Sequence, residues 1–255
     1  MVKKFVISSG HGDKVSGAIG ILNEHNEAKK VVNEVYRILT EEYNGKGYKY
    51  HETTATTQNQ NLANIVNYHN SKDGALDISV HFNSASAAAT GTECLYYDQH
   101  ALSAKMSKAM SNALGIVDRG AKERKELYFL RNTKKPAILL EVCFVSSKKD
   151  ANAYNSNFKT LCKAIAHVLA AHLGYVAKKA HTTSTSDKKE YHKKIGKYKI
   201  TKGCYAYKDT SGDKDKRVVA LKKDEVYTVV EVVGKKFKLK SGLYMTANKD
   251  YSKKA

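Results

Sequence analysis

The sequence predicts an α/β domain built on a mainly parallel sheet flanked by helices on both faces, followed by a small all-β barrel. Three observations predict this. Over residues 1–175, short apolar runs rich in branched residues alternate with stretches whose apolar residues recur every three or four positions, as strands do with covering helices. Residues 176–194 carry Thr182-Thr183-Ser184-Thr185-Ser186 among lysines, show no apolar period and read as a linker. Residues 195–255 then hold five short β-rich runs separated by Gly, Asp and Lys clusters, the spacing of a small barrel.

Taken in order, Lys4-Phe5-Val6-Ile7-Ser8-Ser9 reads as a buried strand that stops at Gly10-His11-Gly12, leaving an imidazole at its exit. Ala28, Val31, Val32, Val35, Ile38 and Leu39 mark one face of a helix, and one turn further back that face carries Glu24. Glu27 lies at the same helix end, one step off the stripe, and an acid there also complements the helix dipole. A strand over 48–54 precedes a helix over 58–70 with Leu62, Ile65 and Val66. Residues 76–83 alternate as a strand and end on His81-Phe82-Asn83. A strand over 93–97, a helix over 101–114 and a strand-like stretch over 127–130 follow. After Pro136, Ala137-Ile138-Leu139-Leu140 is an apolar strand ending on Glu141, and 161–173 closes the domain as an amphipathic helix. In the last part the strands are 198–206, 218–221, 226–233, 237–239 and 243–246.

The net charge is +19. Residues 1–175 hold 22 Lys and Arg against 16 Asp and Glu, and residues 176–255 hold 22 against 9, so the excess is +6 in the first part and +13 in the second. So basic a C-terminal part suits a polyanionic partner: nucleic acid, a membrane surface or an anionic wall polymer. Cys94, Cys143, Cys162 and Cys204 are far apart with no CxxC motif, which excludes a zinc finger or a dense disulfide framework and fits a reducing compartment. No stretch has the length of a membrane span, and the first apolar run is too short for a signal peptide. The expectation is a protein made in the cytoplasm without a leader, with no membrane insertion.

In a parallel sheet, chemistry collects outside the carboxyl ends of the strands. His11, His81 and Glu141 fall at that end, and Glu24 opens the helix leaving the same edge. Two histidines and a glutamate around an open fourth position make a catalytic zinc site, and a second carboxylate can carry the proton of an attacking water. The candidate ligands are therefore His11, Glu24 and His81, with Glu141 as general base and later acid. Other readings of these residues stay open: a helix-dipole role for Glu24, an ion pair of Glu141 with a lysine such as Lys122, and chance placement of two of ten histidines at strand ends, while His25, His69 and His167 read as surface or packing residues.

Several stretches resemble the zinc-dependent N-acetylmuramoyl-L-alanine amidases of the amidase-3 family. They are Gly10-His11-Gly12, Gly17-Ala18 with Leu22-Asn23-Glu24, Ser79-Val80-His81-Phe82-Asn83, Arg119-Gly120-Ala121-Lys122, and Pro136 to Phe144 with Glu141-Val142-Cys143-Phe144. They occur in family order over nearly all of residues 1–175. Departures are Ser8-Ser9 where many members have Asp-Pro, Cys143 where many have glycine, and Ser147 where many have asparagine. The resemblance implies zinc on His11, Glu24 and His81, Glu141 as the catalytic carboxylate, and Asn83 and Arg119 as substrate-orienting groups. The C-terminal part resembles a bacterial SH3-like wall-binding domain, on Tyr227-Thr228-Val229-Val230 and Ser241-Gly242-Leu243-Tyr244.

What the resemblance implies is a peptidoglycan amidase of the phage endolysin kind. It would act on a Gram-positive wall after release from the cytoplasm, with the lysines of its last domain meeting anionic wall polymers. The rival expectations are a basic nucleic-acid-binding protein, for which no recognition helix or aromatic-basic motif is evident, and a non-catalytic wall-binding protein, against which the intact ligand positions argue.

Overall fold

The computed structural model describes residues 2–178, 190–212 and 214–255, so residues 179–189 of the expected linker lie outside the described residues. The chain divides into two compact units, Met1–Ala180 and His181–Ala255.

The first unit holds six strands: β1 (Lys4–Ser9), β2 (Lys46–Tyr50), β3 (Leu76–Asn83), β4 (Thr92–Tyr96), β5 (Asp118–Glu123) and β6 (Ala137–Phe144). Their order across the sheet is β2-β1-β3-β6-β4-β5, and every neighbouring pair is parallel except β4 with β6. β1, β3 and β6 are central and almost continuously buried, as strands covered on both faces must be. One face packs against α1 (Glu24–Arg37), α3 (His100–Leu114) and α5 (Lys148–Leu173) in a core that includes Ile7, Val31, Ile78, Met106, Leu140 and Ile165. The other is covered by α2 (Gln58–Asn70) and α4 (Tyr128–Asn132), through Ile65, Val66, Phe129 and Leu130 against Leu95 and Leu139.

Two local expectations are corrected and one element is added. The strand-like stretch over 127–130 is the short helix α4, which turns Phe129 and Leu130 together onto the sheet. The strand expected over 48–54 ends at Tyr50, because the Glu52 carboxylate accepts hydrogen bonds from the backbone N–H groups of Thr54 and Ala55 and turns the chain. Residues 118–123, which have no apolar alternation, form the edge strand β5 through pairing with β4 alone.

The second unit is an antiparallel sheet of β7 (Gly196–Ile200), β8 (Cys204–Tyr207), β9 (Arg217–Leu221), β10 (Val226–Val233), β11 (Lys236–Leu239), β12 (Tyr244–Thr246) and β13 (Ser252–Lys254). Its order is β13-β7-β10-β11-β12-β8-β9, around a core of Tyr198, Ile200, Leu221, Val229, Phe237, Leu239 and Met245. Seven strands replace the expected five. The run over 198–206 divides at Thr201-Lys202-Gly203 into β7 and β8, and β13, which has no apolar residue, is held by pairing with β7.

Candidate metal centre and active site

β1 and β3 lie side by side, so the loop after β1 and the end of β3 share one edge of the sheet. That edge brings together His11, His81 and Glu24, whose donor atoms all lie within 4.8 Å of one another. Glu24 is the first residue of α1, set in place by Asn23, whose side-chain oxygen accepts from the Asn26 N–H at 3.0 Å as an N-cap. Glu24 Oε1 lies 3.0 Å from His81 Nδ1 and 3.2 Å from His11 Nε2. The carboxylate is also held by the chain itself: the Ala18 N–H donates to Oε2 at 2.8 Å and the Phe82 N–H to Oε1 at 3.1 Å.

Two glycines make this approach possible. A Cβ on Gly10 would fall 1.8 Å from His81 Nε2. Gly17 has φ +70, and a Cβ there would lie 2.6 Å from both Glu24 Oε2 and His11 Cδ2.

These donors suit zinc. Bonds of about 2.0–2.1 Å in a tetrahedron put neighbouring donors about 3.3 Å apart, close to the 3.0 and 3.2 Å separations between the Glu24 oxygen and the two imidazoles. Burial alone would raise the Glu24 carboxyl, but its hydrogen bonds with His11 and His81 outweigh that and hold it far below the usual carboxylate range, in the charged form a cation needs. His11 Nδ1 is buried without a hydrogen-bond partner.

Glu141 is the register partner of His81 across the β3–β6 pair. Its Oε2 is enclosed and has no hydrogen-bond partner. Burial first, and then the charges of Glu24 and Glu93, push its carboxyl well above the ordinary value, with Arg124 opposing. Lys122, the lysine considered as its partner, sits on edge strand β5 opposite Leu95, with β4 lying between β5 and β6. Among the described residues no ion pair joins it to Glu141.

Asn83 and Arg119 are brought together by a residue that the sequence pattern did not single out as functional. Glu93 on β4 is the antiparallel register partner of Glu141. It accepts from Asn83 Nδ2 at 3.0 Å and from Arg119 Nε at 2.8 Å. The Arg119 guanidinium lies 5.1 Å from the Phe144 ring centre. His25 is likewise more than packing: Nδ1 lies 2.8 Å from the His11 carbonyl oxygen and Nε2 2.8 Å from Asp13 Oδ1, which Lys29 also reaches at 2.8 Å. The sequence signal for His25 was its place beside Glu24 on a helix turned toward the site. For Glu93 it was an acid within a buried strand. His69 is buried and bonded to Ser8 and Asp77, away from this cluster.

The two-faced α/β sheet thus carries at its carboxyl edge a His-Glu-His cluster able to hold a metal ion. Residues 5–171 match the family described as N-acetylmuramoyl-L-alanine amidase, Amidase_3, and the chain belongs to that family. Residues 191–251 match a domain of unknown function, DUF5776. The chain is 29% identical to the endolysin of Bacillus phage SPP1 over 273 aligned positions, covering 98% of each. It is 31% identical over 160 residues to an uncharacterised protein of Clostridium perfringens (strain 13 / Type A), covering 59% of this chain and 46% of that protein, so it spans about half the length of that relative. Among solved structures, the catalytic domain of the amidase CwlV from Bacillus (Paenibacillus) polymyxa var. colistinus is 29% identical with a TM-score of 0.58, covering 68% of this chain and 98% of that one. The catalytic domain of the CD27L endolysin shares the fold, with a TM-score of 0.61 at 24% identity, covering 66% and 97%.

Proposed function

We propose that the chain is a zinc-dependent peptidoglycan hydrolase that cleaves the amide between the lactyl group of N-acetylmuramic acid and L-alanine, and that it serves as a phage or prophage endolysin against a Gram-positive wall. The observation that carries the reading is the clustering of His11, Glu24 and His81 with Glu141 in register beside His81. Similarity to the phage SPP1 endolysin along 98% of both chains supports the phage origin. In this reading residues 1–175 are the catalytic domain, 176–194 the linker and 195–255 an SH3-like wall-binding domain.

His11, Glu24 and His81 would hold the zinc ion. Bound there, zinc supplies a Lewis acid that polarises the scissile carbonyl and makes water nucleophilic near neutral pH. Glu141 takes the proton of the attacking water on a carboxylate oxygen and delivers it to the leaving nitrogen. Its enclosure raises its proton affinity, which suits a group that must keep the proton between those two events. Water thus adds across the C–N bond, leaving a lactyl carboxylate and a free L-alanine amine. Asn83 and Arg119, fixed by Glu93, orient the substrate.

The test is digestion of purified Gram-positive walls by the full chain with and without chelator, followed by mass spectrometry. Stem peptides with a new L-alanine amino terminus, formed only while metal is present, are expected. Reducing sugar ends or new termini inside the stem peptide would overturn the assigned bond.

A further inference from the structure

The second unit contains a cleft of about 370 Å³ with Tyr191, Tyr205, Tyr207 and Tyr251 in its lining. The volume lies within the about 300–1,000 Å³ usual for ligand pockets. A cation stands over each of these rings. The Arg217 guanidinium is 4.2 Å from the centre of Tyr205, and Lys236 Nζ is 5.2 Å from Tyr207. Lys235 is 5.4 Å from Tyr191 and Lys202 is 5.5 Å from Tyr251.

These four cations differ from four lysines of the same unit that are ion-paired. Lys199, Lys216, Lys238 and Lys249 each have a carboxylate within 3.2 Å. Among the described residues, no carboxylate pairs with Lys202, Arg217, Lys235 or Lys236. Lys236 itself lines the cleft, and Lys202, Arg217 and Lys235 stand over rings that line it, so charge without a carboxylate partner borders a concave surface that offers tyrosine hydroxyls, Thr246 and Asn248. A platform for stacked bases needs open ring faces, whereas here a cation lies over every ring.

We propose that this cleft binds a phosphodiester-linked polyol or sugar polymer of the cell wall, its phosphates meeting the four cations and its hydroxyls the tyrosines. The choice of a wall polymer over another polyanion rests on the peptidoglycan-amidase reading of the first unit.

The full chain, with its metal chelated so that no wall is digested, is sedimented with purified Gram-positive walls before and after hydrofluoric acid has stripped their phosphodiester polymers. Stripping should cut binding at least tenfold, and Arg217→Glu and Lys236→Glu should do the same on unstripped walls while Lys199→Glu, at a lysine already paired with Asp224, should not. Soluble poly(glycerol phosphate) should displace the chain. Equal binding to stripped walls, or undiminished binding by both folded cleft variants, overturns the proposal. So does a single-stranded oligonucleotide that displaces the chain better than poly(glycerol phosphate), which would assign the cleft to nucleic acid. Because exposed side chains can still support the fold, each variant is checked by its unfolding midpoint, and Tyr207→Phe, which removes only a hydroxyl, should weaken binding by a smaller factor. Failure of the amidase reading is seen separately, as absence of new L-alanine termini when the metal-replete wild type digests stripped walls.

Discussion

His81 and Glu141 are register partners on adjacent parallel strands, so the same hydrogen-bonded ladder that builds the centre of the sheet sets a candidate zinc ligand beside a candidate proton carrier. Replacing Glu141 by glutamine keeps the shape but removes the proton acceptor. Glu141→Gln should lower wall hydrolysis by about 10²–10⁴-fold while metal content and unfolding midpoint stay at wild-type values. Loss of the metal in this variant would contradict the assigned role.

Metal should matter for stability as well as for turnover, because three separate chain segments meet at the cluster. With free zinc at about 100 times its dissociation constant, the gain is about 2.7 kcal/mol. Calorimetry with zinc and with chelator should show that increment in the wild type, and His81→Ala should remove most of it.

Gly10→Ala places a methyl group 1.8 Å from His81 Nε2, so the imidazole must swing away. Zinc affinity should fall by about 10–100-fold, the range seen when a ligand loses its orienting contacts. Titration with a competing chelator reads this directly, and unchanged affinity would show that the ring does not need its place against Gly10 to bind the ion.

Ser8, His69 and Asp77 line up with two contacts of 2.9 Å each, in the order of a serine nucleophile, its base and an orienting acid. All three side chains are fully buried, so no substrate reaches them. Ser8→Ala should cost about 1–3 kcal/mol for the polar partner left behind, measured by denaturant unfolding, with hydrolysis per folded molecule unchanged.

The pH dependence of stability has a defined sign at His51. Burial, then the charges of Lys29 and Lys49, push its imidazole down to about 4 in the folded chain, against about 6.5 when unfolded. Below pH 6.5 the unfolded chain takes up a proton that the folded chain refuses, so stability declines as pH falls toward 4. Between pH 7 and pH 5 the unfolding midpoint of the wild type should fall relative to that of His51→Gln, and parallel pH profiles for the two proteins would contradict this.

Much of this was legible from periodicity. Apolar runs ending on His11, His81 and Glu141 gave the central strands, and the stripe of α1 extrapolated back to Glu24. β5 and β13 were not legible, because Asp118–Glu123 and Ser252–Lys254 have no apolar alternation and become strands through partners distant in sequence. α4 misled because a run as short as Leu127 to Leu130 has the same apolar content in either conformation. Glu93 escaped notice since its importance comes from an antiparallel pairing with Glu141 that neither local sequence encodes.

The position of β6 has a consequence for how the protein is made. Last of the six strands in chain order, it sits between β3 and β4 in the middle of the sheet. A nascent or truncated chain ending before Pro136 would hold His11, Glu24 and His81 but leave β3 and β4 with unpaired edges in addition to those of β2 and β5, the form most prone to sticking to its own kind. The one late strand that fills the gap between β3 and β4 is also the strand that carries Glu141, so the proposed proton carrier joins the proposed metal ligands only when the sheet is complete.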